Sequence, residues 1–152
     1  MEIVVRDAIK ADMPAVHQLI GELALYEKAP HEFTLTLEQL MEDGFGNDPV
    51  FECLVAEEND TVVGMALFYT KYSTWKGKCI YLDDIVVKES HRRFGVGTKL
   101  FQRLRSIAKA RHAQRLEWQV LDWNEPAIQF YKKLGAELDS EWINAKFRWE
   151  NL

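Results

Sequence analysis

The sequence has no apolar run approaching the roughly 20 residues needed to cross a membrane. Its first residues, with Glu2, Arg6 and Asp7 close together, do not read as a signal peptide. Cysteine is scarce: Cys53 and Cys79 both lie in apolar, strand-like segments and are read as buried, reduced thiols, so the expected location is cytoplasmic. His17, His31, His91 and His112 are scattered without ligand spacing, and no metal site is expected. No serine or cysteine sits in a nucleophile elbow. Repeats, low-complexity stretches and long linkers are also missing, so residues 1–152 are expected to form a single domain.

What is present is a chain 47% apolar, which argues against disorder. Its net charge of −5 hides a strong segregation. Residues 1–60 carry 14 Asp and Glu against 3 Lys and Arg, whereas 8 of the 19 Lys and Arg fall between Glu89 and Glu117, where no acid occurs. One pole suits a cation and the other an anion. Nucleic acid is a poor partner, because the total charge is acidic and no aromatic residues interleave with the basic stretch.

Residues 2–8 read as a short strand. Residues 13–27 read as a helix, with Val16, Leu19, Ile20 and Leu23 at helical spacing, Asp12 as N-cap and Pro14 in the first turn. A second helix is expected over 36–43, opened by Thr36 and closed near Gly44. Strands follow at 50–57 and 61–70, joined by Glu58-Asn59-Asp60, and a long strand at 78–88. The most regular helix spans 95–112, with Val96, Leu100, Leu104 and Ile107 on one face. A strand at 115–121, a helix at 125–133 stopped by Gly135, and a strand at 143–150 complete the chain, the last from the alternation of Ile143, Ala145, Phe147 and Trp149. The order predicts an α/β protein: an antiparallel meander, then βαβ and αβ units, giving a mixed sheet with helices on both faces.

The most informative segment is Ile85-Val86-Val87-Lys88-Glu89-Ser90-His91-Arg92-Arg93-Phe94-Gly95-Val96-Gly97-Thr98. A strand runs into a short basic loop, and two glycines open an amphipathic helix. Free N–H groups and the positive end of the helix dipole make such a start a phosphate site, and Arg92 and Arg93 add charge beside it. A Walker A loop is absent, and a dinucleotide fingerprint would need a third glycine where Leu100 stands. Arg92, Gly95 and Gly97 remain, as Arg-x-x-Gly-x-Gly.

Residues 81–98 resemble the acetyl-CoA motif of the GNAT superfamily of N-acetyltransferases. Glu42-Asp43-Gly44-Phe45-Gly46, Cys53-Leu54-Val55-Ala56-Glu57 and Asp122-Trp123-Asn124-Glu125-Pro126 are similar to its diamine branch, the spermidine/spermine N-acetyltransferases, and Tyr72-Ser73-Thr74-Trp75-Lys76-Gly77 resembles the type associated with thialysine. The likeness runs over roughly residues 3–149. It implies a GNAT-type fold with acetyl-CoA as co-substrate. The pantetheine arm would pair with the backbone of Ile85, Val86 and Val87 as an added strand does. The pyrophosphate would be held by N–H groups of Arg93, Phe94, Gly95, Val96, Gly97 and Thr98. Asn124 is an N-cap by chemistry, and the resemblance adds a cofactor contact there, with Glu125, Pro126 and Ala127 beside it. It also implies a homodimer.

Acetylating an amine requires removing a proton from an ammonium of pKa near ~10, stabilising the carbonyl oxygen, and protonating the departing thiolate. The resemblance makes Tyr131, in Phe130-Tyr131-Lys132, the acid. Asp83 and Asp84 interrupt an apolar strand, where carboxylates are costly unless paired or functional. Neighbouring strand residues point to opposite faces, so at most one of them should meet substrate unless a bulge intervenes. The resemblance selects Asp83 to bind the amine or take its proton, and Asp84 is read as structural. For substrate it selects Tyr26 and Glu27 as an amine-binding pair, with Glu117, Trp118 and Gln119; Trp118 also reads as core. Trp75 would offer a ring face to a cation. Ser73 departs from the spermidine/spermine pattern, which is acidic there, and this favours thialysine or a lysine-like amine over long polyamines. The expected function is direct transfer of acetyl to the primary amine of a small cation in a ternary complex. An acetyl-CoA-binding module with weak catalysis, and an acetyltransferase acting on protein lysines or N-termini, are the alternatives.

Overall fold

A computed structural model describes residues 2–152. They fall into two compact units, one ending at Gln119 and the other Val120–Leu152.

The first unit is built on a five-stranded sheet in chain order: β1 (Val4–Asp7), β2 (Glu52–Glu58), β3 (Thr61–Ser73), β4 (Gly77–Val87) and β5 (Leu116–Glu117). The first four pair antiparallel, and β5 joins β4 in parallel. A parallel neighbour needs a crossover, which α3 (Val96–Ala110) supplies. Helices α1 (Met13–Tyr26) and α2 (Leu37–Phe45) lie between β1 and β2 in sequence. The expected mixed sheet is therefore present.

Both faces of the sheet are covered, so β2 reads as a continuous buried run from Cys53 to Ala56. On one face Cys53, Val55, Met65 and Val86 form a core with Met13, Val16, Leu19 and Leu40 of α1 and α2. The alternate residues Leu54, Ala56 and Ala66 face the other way and are also buried. There α3 approaches closely: a Cβ on Gly64 would lie 3.2 Å from Val96 Cγ1 and 3.6 Å from Ala56 Cβ. Cys53 and Cys79 are free and buried, and burial, with the charge of Asp12, pushes the Cys53 thiol up to about 12.

Four sequence expectations are corrected. Asp12 precedes α1 but does not cap it. Its buried carboxylate accepts from Arg6 at 2.8 and 3.0 Å and from the Ile9 N–H at 2.8 Å, because the arginine of β1 offers a charged fork and the helix start offers only N–H groups. Helix α2, capped as expected by Thr36 accepting from Gln39 N–H, passes through Gly44 and ends at Phe45. Gly44 is a packing glycine: a Cβ there would sit 2.3 Å from Phe51 Cζ. The strand expected at 115–121 pairs only at Leu116 and Glu117.

In the second unit α4 (Glu125–Lys133) forms as expected, with the Asn124 carbonyl oxygen accepting from Ala127 N–H at 3.4 Å. No strand forms over 143–150: residues 136–148 carry no regular element, and 149–151 make one 3-10 turn. Ile143 and Phe147 are 93% and 80% exposed. Alternation alone does not make a strand; a ladder partner is needed, and none is present among the described residues.

Candidate active site

The features with most chemical content follow one another along β4 and the loop after it. At its centre, Leu67 of β3 pairs with Asp84 and Phe68 with Leu82, so Asp83 is the extra residue of a β-bulge. A bulge re-aims side chains. Asp83 and Asp84, which a regular strand would send to opposite faces, both line one cavity of about 220 Å³. Its other walls include Ile20, Phe33, Leu40, Phe51 and Leu67, with Asp43 of α2 as a third carboxylate.

The two aspartates differ in environment. Asp83 is exposed, and the Tyr69 hydroxyl donates to it at 3.5 Å, long for such a bond. Asp84 is half-buried, and burial first, then the charges of Asp83 and Glu27, push it up to about 7. Glu27, which caps the C-terminal end of α1, is itself raised by burial. Sequence reasoning set Asp84 apart from Asp83; the bulge, which has no local signature here, brings both to one cavity.

Immediately after the bulge, Ile85, Val86 and Val87 hydrogen-bond to β3 on one side. On the other side β5 accompanies β4 only at Ile80 and Tyr81, so no strand of the described residues covers that edge beyond Tyr81. An open edge is a template for an extended ligand. Next comes the glycine turn. Gly95 precedes α3 at φ 79°, which glycine adopts without a side-chain clash, and its missing Cβ would meet nothing within 4 Å. Arg93 also has positive φ, 68°. The N–H groups of residues 93–98 have no acceptor among the described residues, and no carboxylate there pairs with Arg92 or Arg93. Arg92 Nε donates to the Val87 carbonyl at 3.2 Å, and its guanidinium lies over the Tyr26 ring. Unsatisfied N–H groups, two cations and an open strand edge fit a pantetheine diphosphate.

The expected substrate residues are only partly brought together. Glu27 acts on Asp84, but Tyr26 turns to Arg92, so the supposed pair is divided between two sites. Ser73 accepts from the N–H groups of Trp75 and Lys76 at 3.2 and 3.1 Å, which commits its hydroxyl to the β3–β4 turn. Trp75 is 78% exposed on that turn. Glu117 is ion-paired with Lys71 at 3.1 Å and Arg115 at 2.9 Å. Trp118 packs on Phe101 of α3, ring centroids 5.0 Å apart, in keeping with a core role, and Gln119 is exposed. In the second unit Tyr131 is buried on α4 beside Phe130, Asn124 is buried at the cap, and Glu125 accepts from Gln129.

An acidic cavity, an open strand edge and a glycine turn with free N–H groups thus follow one another along β4. Comparison with known proteins narrows the class: a model of the acetyltransferase (GNAT) family matches residues 13–136, and the chain belongs to that family. It is 38% identical over 157 residues to thialysine N-epsilon-acetyltransferase of Mus musculus, covering 96% of this chain and 92% of that one. With the Bos taurus protein of the same name it shares 41% over 143 residues, covering 89% and 84%. It is 36% identical to human spermidine/spermine N(1)-acetyltransferase-like protein 1, covering 97% of this chain but 23% of that one. Among solved structures, an integron cassette protein from the V. cholerae mobile metagenome superposes with a TM-score of 0.80 at 25% identity, covering 97% and 93%.

Proposed function

We propose that this acetyltransferase moves an acetyl group from acetyl-CoA to the primary amine of a small cation, of the thialysine, diamine or polyamine class, by direct transfer in a ternary complex. The observation that carries this reading is the order of features along one strand: carboxylates at the β4 bulge, then an open backbone edge, then a glycine turn with free N–H groups. A thioester lying along that edge, with its diphosphate at residues 93–98, brings its acyl end toward the carboxylates. A cavity of about 220 Å³ suits a small amine better than a peptide segment. The names of the relatives point the same way.

The residues take these roles in the proposal. Ile85, Val86 and Val87 pair with the pantetheine amides. Residues 93–98, with Arg92 and Arg93, hold the diphosphate. Asn124 and its neighbours Glu125, Pro126 and Ala127 contact the coenzyme, and Tyr131 protonates the departing thiolate. The cavity carboxylates attract the ammonium, with Glu27 behind them. Ser73, where the long-polyamine pattern is acidic, favours the shorter amines.

The chain is proposed to work as one domain, since the family match runs through both units. We place it in the cytoplasm; the two buried free thiols are consistent with a reducing compartment, and none of the described helices is long and apolar enough to cross a membrane. A homodimer is proposed as well. Trp142, Ile143, Phe147, Trp149 and Leu152 are each at least 75% exposed, and a second copy would cover such a segment.

The test is thiol release from acetyl-CoA with thialysine, spermidine, putrescine and lysine in parallel. Turnover fastest with thialysine or another short amine is expected. Calorimetric saturation by coenzyme A with no thiol release for any amine would instead identify a binding module, and preference for a basic peptide would identify a protein acetyltransferase.

A further inference from the structure

Asp83 is the aspartate that the family resemblance selects, yet the geometry favours its neighbour. Asp84 stands opposite Leu67, on the face of the sheet packed by α1 and α2. Its carboxylate is half-buried in a cavity whose walls are mostly apolar. No hydrogen-bond donor and no cation of the described residues reaches it. The charged groups facing it are negative from every side: Asp83 on its own strand, Glu27 from α1, and Asp43 from α2 at the same cavity, with the Tyr81 phenol as the remaining titratable neighbour. A carboxylate held this way lacks a countercharge that the protein does not supply. Asp83, by contrast, is exposed and already has the Tyr69 hydroxyl.

We propose that Asp84 is the catalytic base: it receives the substrate ammonium as its missing countercharge and takes its proton, while Asp83 and Glu27 serve to attract the cation. This rests on the acetyl-transfer reading above.

The step balances as follows. The ammonium gives one proton to the Asp84 carboxylate, leaving a neutral amine and a carboxylic acid. The amine lone pair forms a C–N bond to the thioester carbon, and the C–S bond breaks with its electron pair on sulfur. The nitrogen loses its second proton as the thiolate gains one. Asp84 then returns its proton to solvent, so the net products are the amide, the thiol and one proton.

Magnitude supports the choice. Passing a proton from an ammonium of pKa ~10 to a carboxylate near its ordinary ~4 is uphill by about 10⁶. With Asp84 raised to about 7 before the amine binds, the gap shrinks to about 10³; pairing with the ammonium draws Asp84 back down, and burial of the ammonium works the other way.

The experiment compares Asp84→Asn, Asp83→Asn and Asp84→Glu for acetylation of thialysine from pH 5.5 to 10, with calorimetric binding of coenzyme A to each. Asp84→Asn should bind coenzyme A as the unaltered protein does, yet lose about 10²–10⁴ in kcat/KM at pH 7.5. The acid limb near pH 7 should vanish, replaced by a tenfold rise per pH unit up to the amine's own pKa, because only free neutral amine then reacts. Asp83→Asn should keep the limb and chiefly raise the KM for amine. Asp84→Glu should restore part of the rate and the limb. An Asp84→Asn enzyme within threefold of the original, or loss of the limb in Asp83→Asn instead, overturns the proposal. Failure of the unaltered protein to bind coenzyme A would sink the acetyl-transfer reading beneath it.

Discussion

The guanidinium carbon of Arg92 lies 5.7 Å from the centroid of the Tyr26 ring. This contact joins the end of α1 to the loop that precedes α3, and both residues line a cavity of about 760 Å³ with Lys88 and Ser90. A stacked arginine is pre-organised for an anion. Arg92→Ala should therefore raise the KM for acetyl-CoA, by about tenfold for one lost charge-assisted contact, with kcat little changed. Tyr26→Leu should raise the same KM by a smaller factor and leave the KM for amine within twofold. Steady-state kinetics with each substrate varied separates the two; a rise confined to the amine KM would return Tyr26 to the amine site.

Tyr131→Phe keeps the ring that is buried on α4 and removes only the hydroxyl. If that hydroxyl protonates the thiolate, kcat should fall by about 10²–10⁴, with calorimetric binding of coenzyme A unchanged. A substrate analogue whose leaving thiol is more acidic should recover part of the lost rate, since it needs the proton less. Equal loss with both leaving groups would exclude Tyr131 as the donor.

These residues show where sequence was sufficient. The two-glycine turn, the amphipathic α3 and the Thr36 cap are local patterns whose physics is complete within a few residues, and each forms as read. What escaped depends on distant partners. Gly44 looks like a helix stop until Phe51 is seen to fill the space beside it. Asp12 looks like a cap until Arg6 competes for it. Asp84 joins Asp83 at the cavity only through a register shift against β3. Residues 143–150 alternate as a strand would, but the described residues offer them no ladder.

Asp84 also predicts a pH dependence of stability. Its carboxyl is raised in the folded chain, so between about pH 4 and about 7 the native state holds a proton that the unfolded chain releases. Stability should fall as pH rises through that window, and the full cost is present above it. Asp84→Asn removes the cost without removing a partner. It should raise Tm at pH 8 by several degrees, on the order of 2 kcal/mol after allowing for partial exposure, and raise it less at pH 5, where only part of the cost is present. Calorimetric scans at both pH values check this, and a variant destabilised at pH 8 would show that the carboxylate has a favourable partner after all.

Gly44→Ala sets two effects against each other. In an exposed helix interior the change would stabilise by about 1 kcal/mol. Here the new methyl would fall 2.3 Å from Phe51 Cζ and 2.7 Å from Cε1, so the ring must move. Overpacking of this kind costs about 1–3 kcal/mol, and the net effect should be a loss of stability. Because Phe51 lines the cavity that holds Asp83 and Asp84, the displacement should also raise the KM for amine while leaving coenzyme binding intact. Pairing the change with Phe51→Leu opens the space and should recover the helix gain, giving a double mutant more stable than the sum of its single effects predicts. Chemical denaturation of all four proteins measures that coupling. Strict additivity would mean that Gly44 and Phe51 do not press on each other, and that α2 runs through this glycine for some other reason.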